Sequence, residues 1–224
     1  MAVIKREIKA ALAEAAKEFY ENGWTPGEDS GDISVRDPET GLVYLYPRPC
    51  AKIPVIRNWS VLTEEFIPVA DPDGNLVGDT HLYPTVEWPM HIAIYRARKD
   101  INAIVHSHAV YSSAFAVTGQ NIPCVLAELT LFLGGEIPCA PFGKVGSWDL
   151  ADKMVAALGK DKMAALMRSH GAIACGADLD QAMSYHAFLE KSAQTVLYAK
   201  LLGKLEILDP NDVLDESLSH LPWD

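Results

Sequence analysis

The sequence predicts a single α/β domain with a central mixed or antiparallel β-sheet flanked by helices. Helix-like and strand-like segments alternate along the 224 residues without a clean β-α-β repeat. Neither a G-x-G-x-x-G nor a Walker pattern occurs, so the usual phosphate fingerprints of doubly wound parallel sheets are missing. The length suits one full-sized core. The single domain is expected over residues 1–224, with 204–224 as an acidic, loop-like tail.

Each element follows from local pattern. Residues 5–22 read as an amphipathic helix, because Ile8, Ala11, Leu12, Ala15, Ala16, Phe19 and Tyr20 recur at helical spacing, and Gly23 ends it. Residues 32–36 and 42–46 are short strands about the turn composition Asp37-Pro38-Glu39-Thr40-Gly41. A second turn at 71–75 separates a strand at 66–70 from a short successor. Thr85 is placed as the cap of a helix running to about residue 99, with Pro89 in its first turn, where a missing N–H costs little. Residues 101–107 form a buried strand and 111–118 a helix; Gly134, Gly135 and the Pro and Gly of 138–146 punctuate the middle. A helix at 149–158 precedes strands at 164–167 and 172–174 about Ser169-His170-Gly171. Asp178 with Gln181 then opens a helix to about residue 202 as a capping box.

Composition narrows the partners. Nineteen Lys and Arg against 30 Asp and Glu leave a net charge of −11, which argues against nucleic acid or anionic lipid. No apolar run reaches the roughly 18–20 residues that span a bilayer. The opening residues 1–9 are charged and helix-like, without a signal-peptide pattern. Cys50, Cys124, Cys139 and Cys175 are scattered and form no C-x-x-C pair, so reduced thiols in a cytoplasmic protein are expected.

His106-Ser107-His108 carries the most chemistry. Residues i and i+2 of a strand share a face, so both imidazoles can converge on one ion, for which neutral imidazole is a good ligand. Two hydrogen-bonded or exposed histidines would read the same way. Of the remaining histidines, His170 is the strongest third ligand, because it ends a second apolar strand and Gly171 allows close backbone approach. His81, His91, His186 and His220 are weaker candidates. Three histidines would leave an open position for substrate. Glu87, near a helix start, is the candidate acid, and also fits as a carboxylate favoured by the helix dipole. Val110 stands where an H-x-H-x-D hydrolase pattern wants Asp.

Several ordered segments together resemble the class II aldolase/adducin family: residues 30–36 (SGDISVR), 84–88 (PTVEW), 91–98 (HIAIYRAR), 103–110 (AIVHSHAV), 137–142 (IPCAPF), 169–175 (SHGAIAC) and the helix at 179–193. The resemblance covers nearly all of residues 5–203. It implies a divalent metal held by His106, His108 and His170, zinc first, with manganese, cobalt or iron as alternatives. It implies Glu87 as the acid/base; the epimerase branch has Asp there, so Glu favours the carbon–carbon lyase branch. It also implies a homotetramer with active sites between subunits, acting on a small molecule.

The departures from that family concern the sugar-phosphate site. Its Gly-Asn-x-Ser loop reads Gly31-Asp32-Ile33-Ser34 here, its Thr-Pro-x-Gly loop reads Tyr46-Pro47-Arg48-Pro49, and its Ser-Ser pair reads Thr85-Val86. Asp32 places a carboxylate where a phosphate dianion is expected, and like charges repel. Val86 removes a hydroxyl donor and Pro49 a backbone N–H. Arg48 is expected to compensate by holding a carboxylate or phosphate. Asp32, Arg48 and Thr85 are therefore the expected substrate-binding residues. The family's aldehyde-handling tyrosine has no match in residues 122–135; Glu128 is the substitute considered, and Tyr111 is near the metal in sequence only. The expected function is retro-aldol cleavage of a hydroxyketone or hydroxy-keto acid other than a standard sugar phosphate. The alternatives are a decarboxylase of a β-keto or ortho-hydroxy aromatic acid, a non-catalytic adducin-like interaction domain, and a three-histidine iron oxygenase.

Overall fold

A computed structural model describes residues 3–25, 30–48, 59–78 and 81–213. Cys50, Pro49, His220 and the end of the tail lie outside the described residues. Eight strands form one sheet in the order β4-β3-β2-β1-β5-β8-β7-β6. They are β1 (Asp32–Arg36), β2 (Val43–Leu45), β3 (Val69–Ala70), β4 (Leu76–Val77), β5 (Ala103–Ser107), β6 (Cys139–Ala140), β7 (Ala164–Met167) and β8 (Gly171–Gly176). Every pairing is antiparallel except β6 with β7. The helices are α1 (Arg6–Glu21), α2 (Trp88–Ala97), α3 (Val110–Thr118), α4 (Ala127–Leu133), α5 (Trp148–Leu158) and α6 (Leu179–Leu202). The mixed, mainly antiparallel sheet is the architecture the sequence predicts.

Alternation along the central strands sorts side chains to two faces. Ile33 and Val105 pack with Leu12 and Phe19 of α1 and with Met183 of α6. Ile104 and Ile173 pack with Ile92 and Ile94 of α2 and Leu150 and Met154 of α5. A third cluster joins Phe115, Leu129, Leu133, Leu189 and Val196 over β7 and β8. The consequence for function is a strict division. Asp32, Ser34 and His106 fall on the α2 side of the sheet, and Ser107 on the α6 side.

Three expectations about elements change. α2 begins at Trp88 with Glu87 as its N-cap and no side-chain cap; the Thr85 hydroxyl donates to Asp32 and accepts the Glu87 N–H at 3.2 Å. The strand expected at 66–70 is shorter, because a 3-10 turn, Glu64–Phe66, consumes its start. α4 is an additional helix, closed by Gly134 at φ 81°. Within the tail, Leu205 and Leu208 pack on the third core and the Leu208 N–H donates to the Cys124 carbonyl at 2.8 Å, so this part is docked. Cys124, Cys139 and Cys175 are free thiols.

Candidate metal centre

His106 is the penultimate residue of β5 and is paired in register with Asp32 on one side and Ile173 on the other. Its Nδ1–H donates to the Ala172 carbonyl at 3.0 Å. That bond fixes the tautomer and leaves the Nε2 lone pair free for an ion. His108 follows past the strand end, and its Nε2 lies 3.2 Å from His106 Nε2. His170 arrives from the β7–β8 turn, in which Ser169 holds a left-handed φ of 56°. Gly171 lets that turn close, because a Cβ there would collide with the Ser107 carbonyl.

The three rings form a nearly regular triangle. Centroid separations are 4.9 Å (His106–His108), 5.0 Å (His106–His170) and 4.9 Å (His108–His170). One ligand nitrogen from each lies within 4.8 Å of the others, and this is the metal-competent group among the described residues. Burial pushes all three imidazoles down to about 4, so they are neutral and available at neutral pH. A tetrahedral zinc with three nitrogens at its usual bond length needs them about 3.3 Å apart. The His106–His108 spacing already meets that.

Glu87 lies beside His170. Its Oε1 accepts the Gly146 N–H at 3.1 Å and lies 4.0 Å from His170 Nε2. Its Oε2 is buried without a protein partner. Burial first, then the negative Asp32, pushes the carboxyl up to about 7, against the pull of the Gly146 N–H. A buried, unpartnered oxygen on a carboxyl group that lies 4.0 Å from His170 is costly unless a proton, a cation or a substrate group meets it. The residues present therefore fit a divalent ion.

Asp32 is 2% exposed and both its oxygens are engaged within the protein. Oδ1 lies 2.7 Å from His91 Nε2, and Oδ2 accepts the Thr85 hydroxyl at 2.5 Å. His91 continues through Nδ1 to Ser34 Oγ at 2.6 Å, and Ser34 Oγ to the Tyr95 hydroxyl at 2.7 Å. Burial alone would raise the Asp32 carboxyl; the charge and hydrogen bond of His91, the His106 ring and the Thr85 hydroxyl together outweigh it and hold the group at about 2. Asp32 and Thr85 are thus brought together beneath the metal-competent triad. His91, read from sequence as a weak candidate, is the partner of Asp32. The signal was a strand pair, Asp32 and Ser34 at i, i+2, opposite a helix pair, His91 and Tyr95 at i, i+4.

Arg48 lies apart from this network. The Pro47–Pro84 bridge sets its segment beside residues 83–85, and the Arg48 N–H donates to the Tyr83 carbonyl at 2.8 Å. Its guanidinium carbon stands 5.3 Å from the Tyr83 ring centre. Arg48, Tyr83, Thr85, Val86, Trp88 and Val145 line a cleft of about 360 Å³ beside Glu87. Glu128 is held by Lys191 at 2.6 Å on α4, and the Tyr111 hydroxyl accepts from Gln194 at 2.9 Å. His186 is bonded to Ser107 on the opposite face of β5.

The sequence profile of the class II aldolase and adducin N-terminal domain matches residues 10–197. An L-fuculose phosphate aldolase of Escherichia coli O6:H1 is 35% identical over 187 residues, covering 84% of this chain and 79% of the relative. A 5-deoxy-D-ribulose 1-phosphate aldolase of Bacillus thuringiensis serovar kurstaki is 30% identical over 199 residues, 89% and 88% of the two chains. Among solved structures, an L-fuculose 1-phosphate aldolase superposes with a TM-score of 0.85 at 26% identity, covering 94% of each chain. The chain belongs to the class II aldolase and adducin family, and is an aldolase-type lyase of it.

Proposed function

We propose that the chain cleaves a hydroxyketone or hydroxy-keto acid by a retro-aldol reaction, and that its donor is not a standard sugar phosphate. The observation that carries this reading is the convergence of His106, His108 and His170 on one point, with the Glu87 carboxyl 4.0 Å from His170. His106, His108 and His170 would hold the ion, zinc first and manganese, cobalt or iron as alternatives. When bound, it supplies a Lewis acid that spreads the negative charge developing on the substrate oxygens.

The protein's own groups do the rest. His106 is locked by Ala172, so its lone pair points at one place throughout the cycle. The Glu87 carboxyl, which burial raises, would take the proton of the hydroxyl that becomes the aldehyde as the C–C bond breaks and return it to the carbon that keeps the electron pair. The Gly146 N–H orients Glu87 through Oε1 and leaves Oε2 for that transfer.

Three features favour a donor without a phosphate. Asp32 keeps a negative charge beneath the site. Val86 presents an apolar side chain, 43% exposed, where a hydroxyl donor would help a phosphate. Arg48 is the cation among the cleft's lining residues, beside Tyr83, Thr85 and Trp88. Arg48 suits a carboxylate, and this also favours the second reading, decarboxylation of a β-keto or ortho-hydroxy aromatic acid on the same residues. We further place the protein in the cytoplasm as a homotetramer with sites at subunit junctions. No helix among the described residues is long and apolar enough to cross a membrane.

Product analysis separates the two reactions: an aldehyde supports the aldol reading, and CO₂ in its place supports the second. Comparison of a phosphorylated ketose with its free sugar tests the donor. A hundredfold preference for the phosphorylated form, about 2.7 kcal/mol, contradicts it.

A further inference from the structure

α3 starts two residues after His108, and its N-terminus has no side-chain cap of its own. Its N-cap residue is Ala109, which offers no side-chain acceptor. The exposed donors are met from another element. Glu190 of α6 accepts the Tyr111 N–H on Oε1 at 2.7 Å and the Ser112 N–H on Oε2 at 2.9 Å. A carboxylate at a helix N-terminus satisfies unpaired N–H groups and is favoured by the helix dipole.

One turn earlier on α6, His186 Nε2 is hydrogen-bonded to Ser107 Oγ at 2.6 Å. One turn later, Gln194 donates to the Tyr111 hydroxyl at 2.9 Å. Residues 186, 190 and 194 recur every four positions, so they share one helix face. That face is the buried one: His186 is 0% and Glu190 9% exposed. A packed helix normally turns apolar side chains inward. Here a polar stripe grips residues 107, 111 and 112, on both sides of His108.

We propose that His186 and Glu190 are positioning residues, which fix the β5–α3 turn so that His108 meets His106 and His170 at ion-binding distance. Neither touches the ion. Ser107 lies between the two ligands on the opposite strand face, so the His186 bond anchors the strand end from behind. Glu190 anchors the exit. Protein contacts alone thereby tie both ends of the turn.

This inference rests on the three-histidine reading, and the experiment separates the two. Zinc alone is titrated into metal-free protein against a chromophoric chelator, and the Tm of the metal-free protein is recorded in parallel. Glu190→Ala is expected to weaken zinc binding about tenfold or more. Glu190→Gln is expected to fall between it and the wild type, since its single carbonyl oxygen accepts one of the two N–H groups. Val196→Ala, in the apolar core of the same helix, is expected to lower Tm and leave zinc affinity unchanged. Wild-type affinity in Glu190→Ala, or in Glu190→Gln should the alanine variant not fold, overturns the proposal. So does a loss in Val196→Ala equal to that in Glu190→Ala at the same Tm. A wild-type protein that binds no zinc instead overturns the metal reading itself.

Discussion

Asp32 and His106 are register partners across β1 and β5, so a buried carboxylate and a ring of the histidine triangle stand side by side on one face of the sheet. The carboxylate is hydrogen-bonded laterally by His91 and Thr85, not by the triad. This separates two jobs. Asp32 holds β1, α2 and the residue 85 turn together, while His106 keeps its Nε2 free.

The pH dependence of stability follows from Asp32. Its folded pKa of about 2 lies below the model-peptide value of 3.8. A depressed carboxyl contributes stability that is fully present above the unfolded value and is lost as pH falls through the folded one. The window is therefore about pH 4 down to about pH 2, and the contribution is about 2 kcal/mol. Denaturant midpoints measured across that window are expected to fall less steeply in Asp32→Asn than in the wild type. Parallel curves contradict the assignment.

Glu87→Gln removes the proton carrier and retains the shape. Turnover is expected to drop about 10²–10⁴-fold, with zinc still bound by the histidines. Steady-state kinetics with metal analysis of the same sample checks both. Turnover within a factor of about three of the wild type would exclude Glu87 as acid/base.

Gly171→Ala places a methyl group against the Ser107 carbonyl and the His108 ring. Because backbone is the obstacle, the β7–β8 turn must shift. A stability loss of about 1–3 kcal/mol is expected, together with weaker zinc binding. An equilibrium unfolding curve and a zinc titration that both match the wild type contradict this.

Val86→Ser restores a hydroxyl to the cleft beside Glu87. The ratio of kcat/KM for a phosphorylated ketose to that for its free sugar is expected to rise, by about tenfold for one hydrogen bond to a charged group. An unchanged ratio shows that Val86 does not face the donor's end group.

The sheet and most helices were legible because their apolar periodicity is strong, as in residues 5–22 and 101–107. The triangle of histidines was legible from the H-x-H spacing and the His170-Gly171 pair. Thr85 was misplaced for a physical reason. Its hydroxyl accepts the Glu87 N–H just ahead of the helix and also donates to Asp32 across the sheet, and only the fold reveals the second partner. Asp32 itself read as a ligand-facing acid, because the sequence does not show that His91 on α2 lies opposite. The roles of His186 and Glu190 depend on where α6 crosses β5, a long-range contact that no local pattern encodes. α4 is seven residues long, too short for periodicity to separate it from loop.

Zinc stoichiometry of the wild type and of His106→Ala tests the central claim most directly. The account predicts one zinc per chain in the wild type, and loss of both the metal and turnover in His106→Ala. A variant that retains one tightly bound zinc per chain and normal turnover would contradict it.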